Sequence, residues 1–357
     1  MKYSTVKTSL ILILFVFLTI PATAQYDGSY EDFYFVRSVS AQSSALGRSS
    51  VALSDNAFSI YSNSSLLVFQ ESYVASYSFS APFYVVEDAS YKFFGIGGRI
   101  INNFFIGISH LDYDTGLSFR QGLTTLALAY QVKKSASLGI NIQRFNIWYG
   151  IIFDDTAPEV TKIRSSEHYL DLTSSYIVPI QLQFADEVSL LIGFTFENVF
   201  QQSIDYNKSW ISLDTELPSI ITFGVNNKWS WNNLSDFFLM KNISLNLLAE
   251  YQEILRYKYR TRFSLGSQLG LNDYLKLRVG YFTQNINEYI PSTNEYSLSD
   301  FTFGVGANIP LSKFINLNKK LILSIDFTTR QRPLYTNRVW RNSGTFSTVN
   351  ASLKADI

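Results

Sequence analysis

The sequence contains no cysteine. This excludes a disulfide framework, thiolate zinc sites, cysteine catalysis and a lipoprotein anchor on an exported N-terminus. Charge is scarce: Asp, Glu, Lys and Arg make up 16% of 357 residues, where an ordinary globular chain carries about a quarter. Lys plus Arg and Asp plus Glu both number 29, so no net field draws the chain to nucleic acid or to an anionic surface. Histidine occurs twice, as His110 and His168. A barrel hydrolase needs a Ser/His or Asp/His constellation, and each His reads instead as an interfacial hydrogen-bonding residue rather than a general base. Neither a G-x-S-x-G elbow, a phosphate loop nor a metal-ligand spacing is present. The chain therefore reads as a non-enzyme that needs no metal and no cofactor.

Long apolar runs are also missing, apart from one at the start. Lys2 and Lys7 precede the apolar run Leu10 to Ile20, and Ala22-Thr23-Ala24 is an A-x-A cleavage site. Residues 1–24 thus read as an export signal, too short in its apolar part for the roughly 20 residues of a spanning helix. A mean hydropathy of +0.05 is far too polar for a bundle of membrane helices.

What is abundant is aromatic: 29 Phe, 23 Tyr and 5 Trp. Apolar residues recur with period two. Tyr73, Ala75, Tyr77, Phe79 and Ala81 alternate with Val74, Ser76, Ser78 and Ser80, and Leu275, Leu277, Val279 and Tyr281 alternate with Lys276, Arg278, Gly280 and Phe282. Segments of this kind fall near 70–82, 91–101, 103–112, 119–132, 135–149, 166–178, 187–199, 219–230, 241–252, 258–271, 273–284, 296–309, 320–330 and 345–357. They predict an all-β chain: a transmembrane antiparallel β-barrel of about 14 strands. Most segments exceed the 5 or 6 residues usual in soluble sheets and match the roughly 9 to 11 of a tilted membrane strand. Lipid offers no hydrogen-bond partners, so such a sheet must close, with apolar side chains outward and aromatics near the interfaces. Tyr73, Tyr130, Trp148, Trp229, Tyr251, Tyr281 and Phe282 are the expected interfacial aromatics. Asp171, Glu197, Glu250, Gln252, Lys276, Arg278 and Asp326 are expected to face the lumen. Their mixed signs argue against an ion-selective pore. Inward Gly193, Gly224, Gly266, Gly270, Gly304 and Gly306 leave room for a filling segment.

Residues 25–69 lack the alternation. Here Ala45-Leu46-Gly47 is followed by Val51-Ala52 and Asp55, then by Tyr61-Ser62-Asn63-Ser64-Ser65-Leu66-Leu67 ahead of the first strand. This order resembles the N-terminal signature of the PorV/PorQ family and, more distantly, of the FadL-type outer-membrane transporters. Those are fourteen-stranded barrels whose N-terminal segment folds inside the lumen as a hatch. The resemblance covers residues 40–82 as motif and the rest as strand pattern. Asn63-Ser64-Ser65 stands where the family has Asn-Pro-Ala, and Arg48 stands where a second Gly or Met is usual. The resemblance implies a hatch over 25–69 ahead of a barrel over 70–357, with Leu46, Gly47, Asp55, Asn63 and Leu67 in the hatch role. Gly47 suits a tight turn or close approach, and Asp55 or Asn63 suits a helix cap. Its PorV/PorQ side implies a non-enzymatic protein of the outer membrane of a Gram-negative bacterium. That protein would assist type IX secretion or surface attachment, with secreted cargo or secretion machinery as partners beside the surrounding lipid. Its FadL side implies the alternative, a transporter for hydrophobic small molecules.

Overall fold

The computed structural model describes residues 38–54, 57–70, 72–80, 90–114, 119–151, 161–180, 185–205, 214–232, 242–255, 261–286, 296–315, 320–331 and 346–356. The export signal expected over 1–24 and Asp55 lie outside these residues.

The strands are β1 (Tyr73–Ser80), β2 (Ser90–Ile101), β3 (Phe104–Asp114), β4 (Phe119–Lys133), β5 (Ala136–Ile151), β6 (Thr161–Ile180), β7 (Glu187–Glu197), β8 (Ser203–Asp205), β9 (Asp214–Glu216), β10 (Ile220–Asn232), β11 (Asn242–Ile254), β12 (Thr261–Leu271), β13 (Leu275–Ile286), β14 (Tyr296–Pro310), β15 (Leu321–Gln331) and β16 (Phe346–Ala355). Fourteen of them form one closed barrel in which each is antiparallel to its chain neighbours. Closure is made by β1 against β16, from Tyr73 opposite Ala355 to Ser80 opposite Thr348. The strand positions match those expected from the alternation. β8 and β9 were not expected; they pair with each other in the β7–β10 connection, outside the barrel.

One end of the barrel carries tight connections. Positive φ at Asn102, Asn272 and Asp273 lets β2–β3 and β12–β13 reverse within two or three residues, a backbone region that Asn and Asp tolerate best among residues with a side chain. We call this the turn end and the opposite one the loop end.

The outer wall is apolar over most of its circumference. Tyr77, Phe79, Ile96, Leu128, Ile140, Leu265, Leu277, Phe303, Val305 and Leu353 are all exposed, as a lipid-facing surface requires. Aromatic contacts on this surface, such as Phe104 with Tyr130 and Tyr281 with Phe301, hold ring centroids 4.8 and 5.0 Å apart. Phe282 departs from the expected interfacial role. It shares the parity of Arg278 and Gly280, faces inward, and is fully buried beneath the Arg48 guanidinium, 3.8 Å from its ring centroid.

Strands β3–β6 depart from this construction along one hydrogen-bonded row. On the turn side of the row, Ile108, Leu126 and Ile142 face outward and are exposed, while Ala127 and Ala129 face inward. On the loop side, Leu111, Tyr113, Leu123, Phe145 and Ile147 face inward and are buried. Polar residues take the outer face there. The switch falls at His110 opposite Thr124, Thr124 opposite Arg144 and Arg144 opposite His168. The registers run unbroken through these pairs, so no bulge accounts for it. The strands keep one in/out alternation throughout, and apolar residues pass from the outward positions to the inward ones.

Candidate functional site

The interior is occupied by residues 38–70. This segment forms α1 (Ala41–Ala45), α2 (Ser59–Ser62) and a 3-10 turn (Ser64–Phe69). The Ser40 hydroxyl caps α1 by accepting from the Ser43 N–H at 3.0 Å, the usual N-cap arrangement. The segment touches strands around the whole circumference, which only a position inside the lumen allows.

Small wall residues admit it. Three pairs of glycines stand opposite each other in neighbouring strands: Gly97 and Gly107, Gly193 and Gly224, Gly266 and Gly280. Each pair receives one part of the segment. Ile60 enters against Gly107 and Gly97, Val51 against Gly193 and Gly224, and Leu46-Gly47 against Gly266 and Gly280. A Cβ at Gly280 or Gly193 would collide with backbone of Gly47 or Val51, atoms that have no rotamer by which to move aside. Gly47 itself has φ +65° and packs against the Tyr281 and Leu265 carbonyls, so turn and close approach coincide there.

Wall polar groups satisfy the segment's backbone. Glu250 accepts from the N–H groups of Ser50 and Val51, at 2.6 and 2.8 Å, and pairs with Arg262 at 2.7 Å. Thr302 accepts from Gly47 N–H and donates to the Ala45 carbonyl, both at 3.0 Å. The Asn350 amide oxygen accepts from Ala41 N–H at 2.7 Å, and Thr328 donates to the Ala41 carbonyl. Arg278 pairs with Asp326 at 2.7 Å and donates to Gln268, and Asp326 in turn accepts from Asn350 at 2.9 Å. The chain Arg278, Asp326, Asn350, Ala41 thus runs from wall to segment. Buried charges held this way are compensated rather than left in a low dielectric.

The residues singled out from the sequence fall in several places. Leu46 clusters with Leu53 and Leu248, and Leu67 with Ile60, Phe105, Ala127 and Ala129. The Asn63 side chain makes no cap bond. It donates instead to the Val51 carbonyl at 2.8 Å and to the wall hydroxyl of Ser175 at 3.1 Å, and its oxygen accepts from Ser65 at 2.6 Å. Glu250, Arg278 and Asp326 belong to the networks above. Asp171 forms a separate one with Gln143, Asn141 and the Asn198 N–H. Glu197 lies on the neighbouring strand near it, and Lys276 stands opposite Gly270 and Gly306 toward the turn end. Thr173, Ser175, Arg262, Thr302, Thr328 and Asn350 were not singled out. Their inward parity was readable, but a lone hydroxyl or amide in a strand carries no mark of its partner. Among the described residues no group of three His, Cys, Asp or Glu could hold a metal.

The loop half of the interior is uneven. Over β2–β6, beyond the Ser109, Thr125, Gln143 and Tyr169 row, the inward side chains include Tyr91, Phe93, Leu111, Tyr113, Leu123, Phe145 and Ile147, with Gln121, Ser165 and Glu167 the polar exceptions. Both Gln121 amide atoms are buried without a partner. On the opposite wall Gln252, Arg262, Ser264, Gln284, Thr302, Thr328 and Thr348 face inward. Phe58 and Tyr61 of the segment reach toward the apolar side, with ring centroids 4.9 and 6.5 Å from Phe93. Burial pushes the Tyr61 phenol well above its ordinary range, with Tyr91, Glu197 and Asp171 acting in the same direction. Its hydroxyl stays protonated and able to donate.

No protein-family model matches the chain, and no curated protein matches it. Among solved structures it is similar to a Pseudomonas aeruginosa FadL homologue, at 9% identity and a TM-score of 0.46 over 90% of this chain and 98% of that one. It is similar to the CymD monoaromatic hydrocarbon channel at 12% identity and 0.47, over 90% and 98%. It is also similar to the Pseudomonas putida toluene transporter TodX at 12% and 0.44, over 94% and 100%. The barrel assignment rests on the strand pairing itself.

Proposed function

We propose that the protein is an integral outer-membrane barrel that admits apolar small molecules from the loop end, with residues 38–70 acting as a hatch across its lumen. One observation carries this reading. Membrane barrels have polar interiors, yet the loop half of β2–β6 lines the interior with seven aromatic or aliphatic side chains. Such a predominantly apolar face suits a solute transferred out of water by apolar contact. It leads from the loops to Phe58 and Tyr61, so a solute that follows it arrives at the hatch. The secretion role implied by the PorV/PorQ resemblance gains no support from the described residues or from the comparisons.

The test is uptake of a radiolabelled aromatic hydrocarbon and a long-chain fatty acid into proteoliposomes, beside the variant Leu123→Asp. Uptake of either solute above protein-free liposomes, reduced at least about tenfold by the buried carboxylate, supports the proposal. No uptake of either solute, or stoichiometric co-purification of a secreted protein with the barrel, overturns it.

A further inference from the structure

Zero net charge conceals a local excess. On the outer wall of β3–β6, the first polar row beyond the apolar belt is His110, Thr124, Arg144 and His168, each in register with the next. Two residues further toward the loop end lies Asp112, Gly122, Asn146 and Ser166, and two beyond that Asp114, Arg120, Trp148 and Arg164. Within this field Asp112 is held by Arg120 through a two-pronged contact of 2.7 and 3.0 Å. Arg144 and Arg164 are exposed and make no ion pair among the described residues. Directly below the first row lie Ile108, Leu126 and Ile142, exposed on the same outer face.

A ligand matching this surface must carry both an anionic head and apolar chains, in that vertical order. Cation above hydrocarbon is complementary to a lipid, and Arg is the side chain best shaped for a phosphate. A soluble anion would gain nothing from the belt, and an acidic protein would gain nothing from a row seated at the edge of the hydrocarbon. We infer that the outer face of β3–β6 is a binding site for a phosphate-bearing lipid, with Arg144 and Arg164 contacting the phosphate, His110 and His168 flanking it, and the acyl chains on Ile108, Leu126 and Ile142. This site is on the outside of the wall and does not depend on what crosses the lumen.

The experiment is native mass spectrometry of the full chain in detergent, offered diphosphorylated lipid A, its dephosphorylated counterpart or inorganic phosphate. The wild type and Arg144→Gln/Arg164→Gln are compared, with heat-modifiable gel migration confirming that both barrels are folded. The wild type retains the diphosphorylated lipid at least about tenfold better than the dephosphorylated one, the double variant loses that preference, and excess inorganic phosphate does not displace the lipid. Equal retention of the two lipids, an unchanged preference in the folded double variant, or displacement by inorganic phosphate overturns the assignment.

Discussion

Strands β3–β6 are built in two opposite ways on either side of a single hydrogen-bonded row. Toward the turn end, Ala, Ser, Thr and other mostly polar residues face in, with Phe105 the large apolar exception, and Ile, Leu and Tyr face out. Toward the loop end, Leu, Phe, Ile and Tyr face in and Arg, His, Asp and Asn face out. The first is the construction of a wall immersed in lipid, the second that of a sheet with water outside and an apolar face covered inside. Length agrees with this. β4, β5 and β6 have 15, 16 and 20 residues, while a membrane strand needs about 9 to 11. The surplus stands beyond the hydrocarbon, and there the apolar face is free to turn inward. The same protein thus makes a lipid-facing outer surface and a covered apolar inner one from continuous strands, by placing apolar residues on opposite faces rather than by adding a domain.

The sharpest way to break this comparison lies inside the barrel, where the wall opposite the apolar lining holds the segment by charge. Glu250→Ala removes the carboxylate paired with buried Arg262 and frees two backbone donors. Its denaturation midpoint should fall by the equivalent of about 3 to 5 kcal/mol, with residues 38–70 becoming open to protease. On the outside, Leu126→Arg should cost about 2 to 4 kcal/mol in folding into bilayers, whereas Thr124→Arg, one row further toward the loops and on the same face, should cost about 0 to 1 kcal/mol. Equal costs would place both rows in one environment. Glycine replacement separates the halves again. Gly280→Ala drives a methyl into the Leu46-Gly47 backbone and should cost about 1 to 3 kcal/mol by thermal unfolding, while at Gly122 the nearest atom to an added methyl is the His110 ring at 3.5 Å. Gly122→Ala should stay within about 0.5 kcal/mol of wild type. An effect of the opposite sign is expected at Gln121. Replacement by Leu removes two unpartnered buried amide atoms from the apolar lining and should leave the melting point unchanged or raise it by the equivalent of about 1 kcal/mol.

Much of the fold was legible. Period two, an even strand count and the signs of inward residues follow from the alternation alone, because closure leaves each side chain only two directions. The exchange of faces by apolar residues was present in the sequence too. In β5, Leu138, Ile140 and Ile142 keep one parity, and Phe145 and Ile147 take the other across Gln143-Arg144. A phase change of this kind is what a bulge produces, and only the unbroken register with β4 and β6 identifies it as an exchange of faces. Phe282 was misread for a related reason, since an aromatic near a strand end suits the interface unless its parity is followed. The segment's partners were least legible. Glu250 with Ser50 and Val51, and Asn350 with Ala41, join residues about 200 or more positions apart, and nothing local in either stretch announces the other.

On this reading the lipid boundary follows the row His110, Thr124, Arg144 and His168. A chain with no cysteine allows it to be tested one position at a time. Single substitutions to Cys at outward-facing Leu128, Leu126, Thr124, Asn146 and Arg164, in proteoliposomes, are exposed to a membrane-impermeant maleimide and, separately, to lipids carrying a quencher in the acyl chain. Asn146→Cys and Arg164→Cys should be labelled and unquenched, Leu126→Cys and Leu128→Cys unlabelled and quenched, and Thr124→Cys between the two. Protection and quenching at Asn146→Cys and Arg164→Cys equal to those at Leu126→Cys would contradict that boundary.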